Sequence, residues 1–558
     1  MRAFTLSLLL LLPLTASAAV EVMVVVLTDD VPRGAFAAYR TANDPDYFTN
    51  FTPTTPNIDA MATAGTRVDH FRSYAICAQT RAAMQGYGAM NRPSNLYGGT
   101  KRPDDDVDDY TINPYARNLP RVLKENGWTT NFYGKLHLYH DEAQGGPVKG
   151  TFVAAMGWDN APVVIIGNPT NDIPSGSPPA DWDNCHGHNF WPQHDKGGTL
   201  TYKRTYATET IMDAAVADID AAVATGNGKH FFFVSVPAGH GPWQSDDAGD
   251  PGAGVICNGN TEYNDDRPPG GTASDDQGVY EEMVEDIDTR MDAVRTAYRA
   301  ADTYTGIFTA DNGIPLAIAI TGAGVPDECD RSGHAKGTPY PCGTYVPFIA
   351  EGTNIVAAKS MNSQQFHVTD FAPTIVNLAG GTLNPFPDGK SFGDCLTGSN
   401  GWSDVNCWTR PSALIPEWTP VGGTTNGQIN RMPLVTDDDE EWDRFEVAVN
   451  IEIGTAHGLF HRIYNTPDVA GFAGTVSGFM DEFCETYKII DDADQYDRYT
   501  DGDDTARADS CDEDAADGKI VAGDFLTAIT DDETLMLAEA QRRLDAIFNN
   551  NGAQETTF

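Results

Sequence analysis

Val22-Met23-Val24-Val25-Val26-Leu27-Thr28-Asp29-Asp30 is the stretch that decides the fold. An apolar, largely β-branched run without a polar break reads as a strand buried on both faces, as in a parallel sheet covered by helices. Asp29 and Asp30 close it at the C-terminal end, where open α/β sheets place their ligands. The unit recurs twice. Phe231-Phe232-Phe233-Val234-Ser235-Val236 ends in Pro237-Ala238-Gly239-His240, and Gly306-Ile307-Phe308-Thr309-Ala310 ends in Asp311-Asn312-Gly313. Strands of this kind in one sheet bring their polar ends to one edge.

Between the strands lie helical patterns. Tyr206–Val223 and Tyr280–Ala300 carry apolar residues at helical spacing. The alternation predicts an α/β fold with a large, mainly parallel sheet sandwiched by helices. The Gly-, Pro- and Asp-rich stretches Gly167–Pro192 and Ala248–Ser274 read as surface loops. After Gly381 the character changes. Phe445–Ile453 and His457–Tyr464 alternate partially, which suggests an antiparallel pair, and Leu535–Phe548 has one apolar helix face. The expected division is a leader over 1–18, a larger N-terminal domain over 19–420 and a smaller C-terminal α+β domain over 421–558.

The leader is read from Met1-Arg2, the apolar run Leu6–Leu14 and Ala16-Ser17-Ala18, a secretory signal peptide cut after Ala18. The run is too short to span a bilayer. The mature chain is therefore expected outside the cytoplasm, extracellular or periplasmic, and off the membrane. Across 558 residues the formal net charge is -44. So acidic a surface repels nucleic acid and anionic membranes and suits salty water. An anionic substrate would need a locally basic pocket. Of the nine cysteines most should pair in an exported chain. Setting Cys77 aside leaves an even number, with Cys329–Cys342 and Cys395–Cys407 suggested as sequence neighbours.

The polar clusters at the strand ends carry the chemistry. Asp29, Asp30, Asp311 and Asn312 offer only oxygen, which suits a hard cation such as Ca²⁺, or less well Mg²⁺, and not zinc. Arg81, Lys135, His137, His240 and Lys336 offer donors and positive charge, able to bind a tetrahedral oxyanion and protonate a leaving group. Taken singly, Asp311-Asn312-Gly313 is a common turn. Cys185-His186-Gly187-His188, with His194, reads as a loop disulfide beside surface histidines more than as a zinc site. The run Asp491–Asp517 lacks the calcium-loop pattern and reads as a solvated acidic loop.

In order along the chain, these residues resemble a known family. Val24-Val25-Val26-Leu27-Thr28-Asp29-Asp30 looks like its opening metal-binding strand. Thr55-Pro56-Asn57-Ile58-Asp59 with Ala64-Gly65-Thr66-Arg67 resembles its "TPNID…AEGVRF" stretch, and Tyr133-Gly134-Lys135-Leu136-His137 its "GKWHL". Thr309-Ala310-Asp311-Asn312-Gly313, Lys336-Gly337 with Tyr345-Val346-Pro347-Phe348, and Asp370-Phe371-Ala372-Pro373-Thr374 complete the set. The family is the sulfatases of the alkaline-phosphatase-like superfamily, and the resemblance spans roughly residues 20–381. Its signature is C-x-P-S-R or C-x-A-S-R, and here stands Cys77-Ala78-Gln79-Thr80-Arg81. Gln79 departs from it.

The resemblance implies a secreted sulfuric ester hydrolase acting on a sulfated small molecule or sulfated glycan. Cys77 would be oxidised to formylglycine by the formylglycine-generating enzyme, and its hydrate would attack sulfur. One Ca²⁺ would sit on Asp29, Asp30, Asp311, Asn312 and residue 77. Lys135 and Lys336 would offset sulfuryl charge, His240 would protonate the leaving oxygen, and His137 would accept a proton from residue 77. Arg81 would hold residue 77, and a helix starting near Thr80 would point its positive end at the site. Two alternatives stand beside this. A phosphodiester or phosphonate ester hydrolase of the same superfamily would keep the fold, although a single-metal ligand set favours sulfate. A catalytically silent relative that binds sulfated glycan or calcium would explain Gln79, but not the retained Arg81, Lys135, His137, His240 and Lys336.

Overall fold

A computed structural model describes residues 19–40, 52–74, 76–87, 112–139, 151–169, 187–244, 273–315, 318, 335–336, 341–381 and 389–399, and the strands between 414 and 498. The leader, Cys185, His186, Cys329, Cys407, most of the acidic run 491–517 and the apolar segment 535–548 lie outside the described residues.

The strands of the main sheet are β1 (Val20–Thr28), β2 (Thr66–Arg72), β3 (Trp128–Lys135), β4 (Asn160–Ile165), β5 (Trp191–His194), β6 (Leu200–Lys203), β7 (Gly228–Ser235), β8 (Thr303–Ala310), β9 (Phe348–Gly352) and β10 (Lys359–His367). They form one sheet in the order β10-β2-β9-β8-β1-β7-β3-β4-β5-β6. The decisive run is β1, at the centre, parallel to β7 on one side and β8 on the other. The pairings β3–β7, β3–β4 and β10–β2 are also parallel. The pairings of β9 with β2 and β8, and of β5 with β4 and β6, are antiparallel. The sheet is thus mixed, with a parallel centre.

Helices α1 (Pro56–Ala64), α2 (Cys77–Ala82), α3 (Leu119–Glu125), α4 (Ala207–Thr225), α5 (Ala273–Arg299) and α6 (Phe371–Leu378) flank it. Alternation along the strands shows which layer each face meets. Tyr133 stacks on Phe232 and donates to Asp218 of α4 at 2.5 Å. On the opposite face Phe233 stacks on Phe132 and meets Phe371 of α6 edge-on. Helix α5 starts seven residues before the predicted Tyr280, inside a stretch expected to be loop.

The C-terminal strands are β11 (Leu414–Ile415), β12 (Met432–Val435), β13 (Glu441–Ile453), β14 (Ala456–Pro467), β15 (Cys484–Ile490) and β16 (Asp497–Arg498). All pair antiparallel, and β13 with β14 is the pair that alternation predicts. Among the described residues no helix is long and apolar enough to cross a membrane.

Candidate active site

Register brings the polar ends together. Leu27 of β1 is level with Ser235 of β7 and Thr309 of β8, and Ser235 is level with Gly134 of β3. The residues just beyond, Asp29, Asp311 and Lys135, therefore converge. The Asp311 N–H donates to the Thr28 carbonyl at 3.1 Å, and the Asp29 N–H to that of Ala238 at 3.2 Å. Chain crossing is tight here. A Cβ on Gly239 would stand 2.0 Å from the Asp29 carbonyl oxygen, so only glycine fits.

Asp29, Asp30, Asp311 and Asn312 are all buried. Asp30 N–H donates to Asp311 Oδ1 at 3.0 Å, and Asn312 Nδ2 to Asp30 Oδ1 at 2.7 Å. Tyr280 of α5 donates its hydroxyl to the Asp30 carbonyl at 2.6 Å. Three cations face the carboxylates. Arg81 donates from Nε to Asp311 Oδ2 at 2.8 Å, and its Nη2 lies 3.2 Å from Asp29 Oδ2. Its Nη1 donates to the Lys135 carbonyl at 2.8 Å and to Ser235 Oγ at 2.5 Å. Lys135 Nζ pairs with Asp29 Oδ2. Lys336 Nζ lies 2.6 Å from Asp30 Oδ1 and 2.9 Å from Oδ2.

The electrostatics follow from this packing. Burial raises the Asp29 carboxyl, but Lys135 and Arg81 overcome that and hold it well below the usual range. Burial pushes Asp30 up to about 7, helped by Asp29 and Asp311. Two buried oxygens, Asp29 Oδ1 and Asn312 Oδ1, have no hydrogen-bond partner among the described residues. Orphaned acceptors beside crowded carboxylates are what a hard cation would satisfy, so the residues fit Ca²⁺ or Mg²⁺.

Cys77 opens α2, three residues earlier than the expected helix start at Thr80. The helix therefore begins on the candidate nucleophile itself. Thr80 Oγ1 donates back to the Tyr74 carbonyl at 3.2 Å, which fixes the entering chain. Cys77 Sγ lies 3.1 Å from His137 Nδ1, and within 4.8 Å of carboxylate oxygens of Asp29 and Asp311. Burial pushes the thiol up to about 11, so an unmodified Cys77 is a poor thiolate. Gln79 is buried in the same turn, and its Oε1 has no hydrogen-bond partner among the described residues.

His240 presents a ring nitrogen within 4.8 Å of carboxylate oxygens of Asp29 and Asp30. Its Nδ1 sits 2.6 Å from the Gly241 carbonyl, which requires a proton on that nitrogen. Burial, then Lys135, lowers the pKa of both His137 and His240.

The structure thus gathers every predicted site residue into one cluster. Among the described residues Arg81 donates to Asp311, Lys135 and Ser235 and forms a second ion pair with Asp29. Sequence reading missed Ser235, Tyr280 and His188. Ser235 follows the apolar run Phe231–Val234 at the end of β7, and that strand-end position is the signal for it. The expectation of surface histidines fails: His188 and His194 are both buried.

The family model described as sulfatase matches residues 21–381. N-acetylgalactosamine-6-sulfatase of Canis lupus familiaris is 25% identical over 349 residues, 58% of this chain and 58% of that protein. The chain thus spans little more than half the length of that relative. Among solved structures, a Bacteroides thetaiotaomicron protein described under the metabolism of multiple glycosaminoglycans superposes with a TM-score of 0.52 at 13% identity, over 81% of this chain and 87% of that one. BT4656 in complex with its substrate D-glucosamine-2-N,6-O-disulfate gives 0.50 at 13% identity, over 97% and 100%.

Proposed function

Because the chain belongs to the sulfatase family, whose model covers residues 21–381, we propose that it is a secreted sulfuric ester hydrolase that uses one Ca²⁺ and a formylglycine at position 77. The observation that carries this is the buried cluster of Asp29, Asp30, Asp311 and Asn312, with orphaned oxygens, ringed by Arg81, Lys135 and Lys336 next to Cys77. Asp29, Asp30, Asp311, Asn312 and residue 77 would hold the ion. Bound Ca²⁺ supplies a Lewis acid that makes the residue-77 hydroxyl a better nucleophile. Formylglycine, formed if the modifying enzyme oxidises Cys77, would add water to give a gem-diol, and that hydrate would supply the hydroxyl.

The chain's own residues do the rest. Lys135 and Lys336 bind the anionic oxygens of the ester and offset charge that builds on them. Arg81 keeps Asp29 and Asp311 in place. His137 Nδ1, 3.1 Å from the residue-77 heteroatom position, accepts the proton that residue 77 gives up. His240 holds its Nδ1 proton on Gly241 and delivers the other to the leaving oxygen. An anionic ester beside His240 opposes the lysines and favours the imidazolium this requires.

The relative's name supports a sulfated sugar as substrate class. We assign the catalytic domain to 19–420 and a smaller domain to 421–558, with β11 reaching forward into the second sheet. A second reading, a silent binder of sulfated glycan or calcium, has one specific support: Gln79 buried where the family signature has Pro or Ala. Turnover of para-nitrophenyl sulfate against bis(para-nitrophenyl) phosphate tests the activity. Lys336→Ala should lower sulfate turnover by about 100-fold or more. Unchanged turnover in that variant would sink the site assignment. A mass for peptide Ser73–Arg81 below that of the thiol form would support formylglycine; a thiol throughout would favour the silent reading.

A further inference from the structure

His188 is fully buried beside the site, 52 residues before His240 in the chain. Its Nε2 lies 2.8 Å from the His240 backbone carbonyl. A carbonyl only accepts, so Nε2 carries the proton and Nδ1 is bare. That Nδ1 is buried and has no hydrogen-bond partner among the described residues. The ring is neutral, because burial lowers its pKa to about 4. A buried N–H in a ring with nothing else to do points to the one group it holds.

The same short segment grips the His240 loop again. Asn189 N–H donates to Gln244 Oε1 at 3.2 Å. The His188 carbonyl accepts from Ala207 N–H, the first residue of α4, at 2.8 Å. His188 therefore links the start of a long helix, rigid against the sheet, to the backbone of His240.

We propose that His188 is a positioning residue for His240: its Nε2–H anchors the His240 carbonyl and so aims the imidazole at the leaving oxygen. This rests on the reading of His240 as proton donor. The loop needs such an anchor, since a general acid loses most of its effect when it is misplaced by about 1 Å.

The test uses His188→Phe, which keeps a ring and loses the donor, and His188→Gln, which keeps an N–H of similar reach. Both are assayed on para-nitrophenyl sulfate and on phenyl sulfate, whose poorer leaving group depends more on proton donation. His188→Phe should lose about 10-fold more kcat on phenyl sulfate than on the nitrophenyl ester. KM should change little, and His188→Gln should restore the ratio. In a His240→Ala background His188→Phe should add nothing. Equal losses on both esters, or no rescue by glutamine, would overturn the proposal. Nitrogen-15 histidine spectra read positioning without activity. His240 should show a fixed Nδ1–H tautomer in the wild type and in His188→Gln. In His188→Phe, or in His188→Ala if the phenylalanine variant does not fold, the tautomers should average. An unchanged His240 signal overturns the proposal. A wild type that cleaves no sulfate ester, with the tautomer still lost in His188→Phe, overturns the sulfatase reading and leaves the anchor standing.

Discussion

Asp30 and His137 both hold positive φ, 57° and 51°, without being glycine. Such backbone costs energy and persists where its surroundings impose it, commonly at working sites. Tyr280 and Asn312 supply that restraint for Asp30. Gly239, at φ 100°, stands against the Asp29 carbonyl and has no room for a side chain. Gly239→Ala should cost more than about 1 kcal/mol and lower turnover, because the Asp29 peptide must move. Urea denaturation and an esterase assay read both, and a variant of unchanged stability and rate would contradict the contact. Arg81 is the shared partner of Asp29 and Asp311. Arg81→Ala should cost about 3–5 kcal/mol in chelator, as breaking a buried ion pair does. Calcium should restore part of the loss by serving the same oxygens, which denaturation with and without the ion would show.

At the scale of elements, Glu351 of β9 ties α5 to the sheet. Arg295 grips it at 3.0 and 3.1 Å, and Tyr298 and Arg299 complete the cluster. Burial alone would raise the Glu351 carboxyl, but these donors hold it below the usual range. Stability from a depressed acid is present above its unfolded pKa and is lost as pH falls through the folded value. The advantage of wild type over Glu351→Gln should be about 3 kcal/mol at neutral pH. It should shrink below about pH 4, as denaturation midpoints would show. A pH-independent difference would assign the effect to packing. This element also shows where sequence reading stops. β1, β7 and β8 were legible because both faces are apolar. β2, Thr-Arg-Val-Asp-His-Phe-Arg, is not, because its charges are satisfied by contacts the pattern does not show: Asp69 by Arg67 of the same strand and by the remote Ser360, and Arg72 over the Tyr345 ring at 4.5 Å. The strand-end acids and Lys135 could be read for the same reason as the strands that carry them, whereas Lys336 lies on no strand. His188 could not, since its burial comes from a loop that packs against residues 52 positions away.

The whole molecule carries a net charge of -44, and its repulsion weakens with screening. Raising salt from about 0.05 M to about 1 M should lift the thermal midpoint by a few degrees. A flat or falling trend would show that the carboxylates are compensated locally. Calcium at about 100 times its Kd should add about 2.7 kcal/mol, and a chelator should remove it, both read as shifts in the unfolding midpoint. The pocket itself differs from the surface around it. Asp29, Asp30 and Asp311 stand against Arg81, Lys135 and Lys336, three acids to three cations. On the proposed reading, a divalent ion held by these acids would add two positive charges to a cluster whose acids and cations already offset one another, so the pocket would draw an anion more strongly with the ion bound than without it.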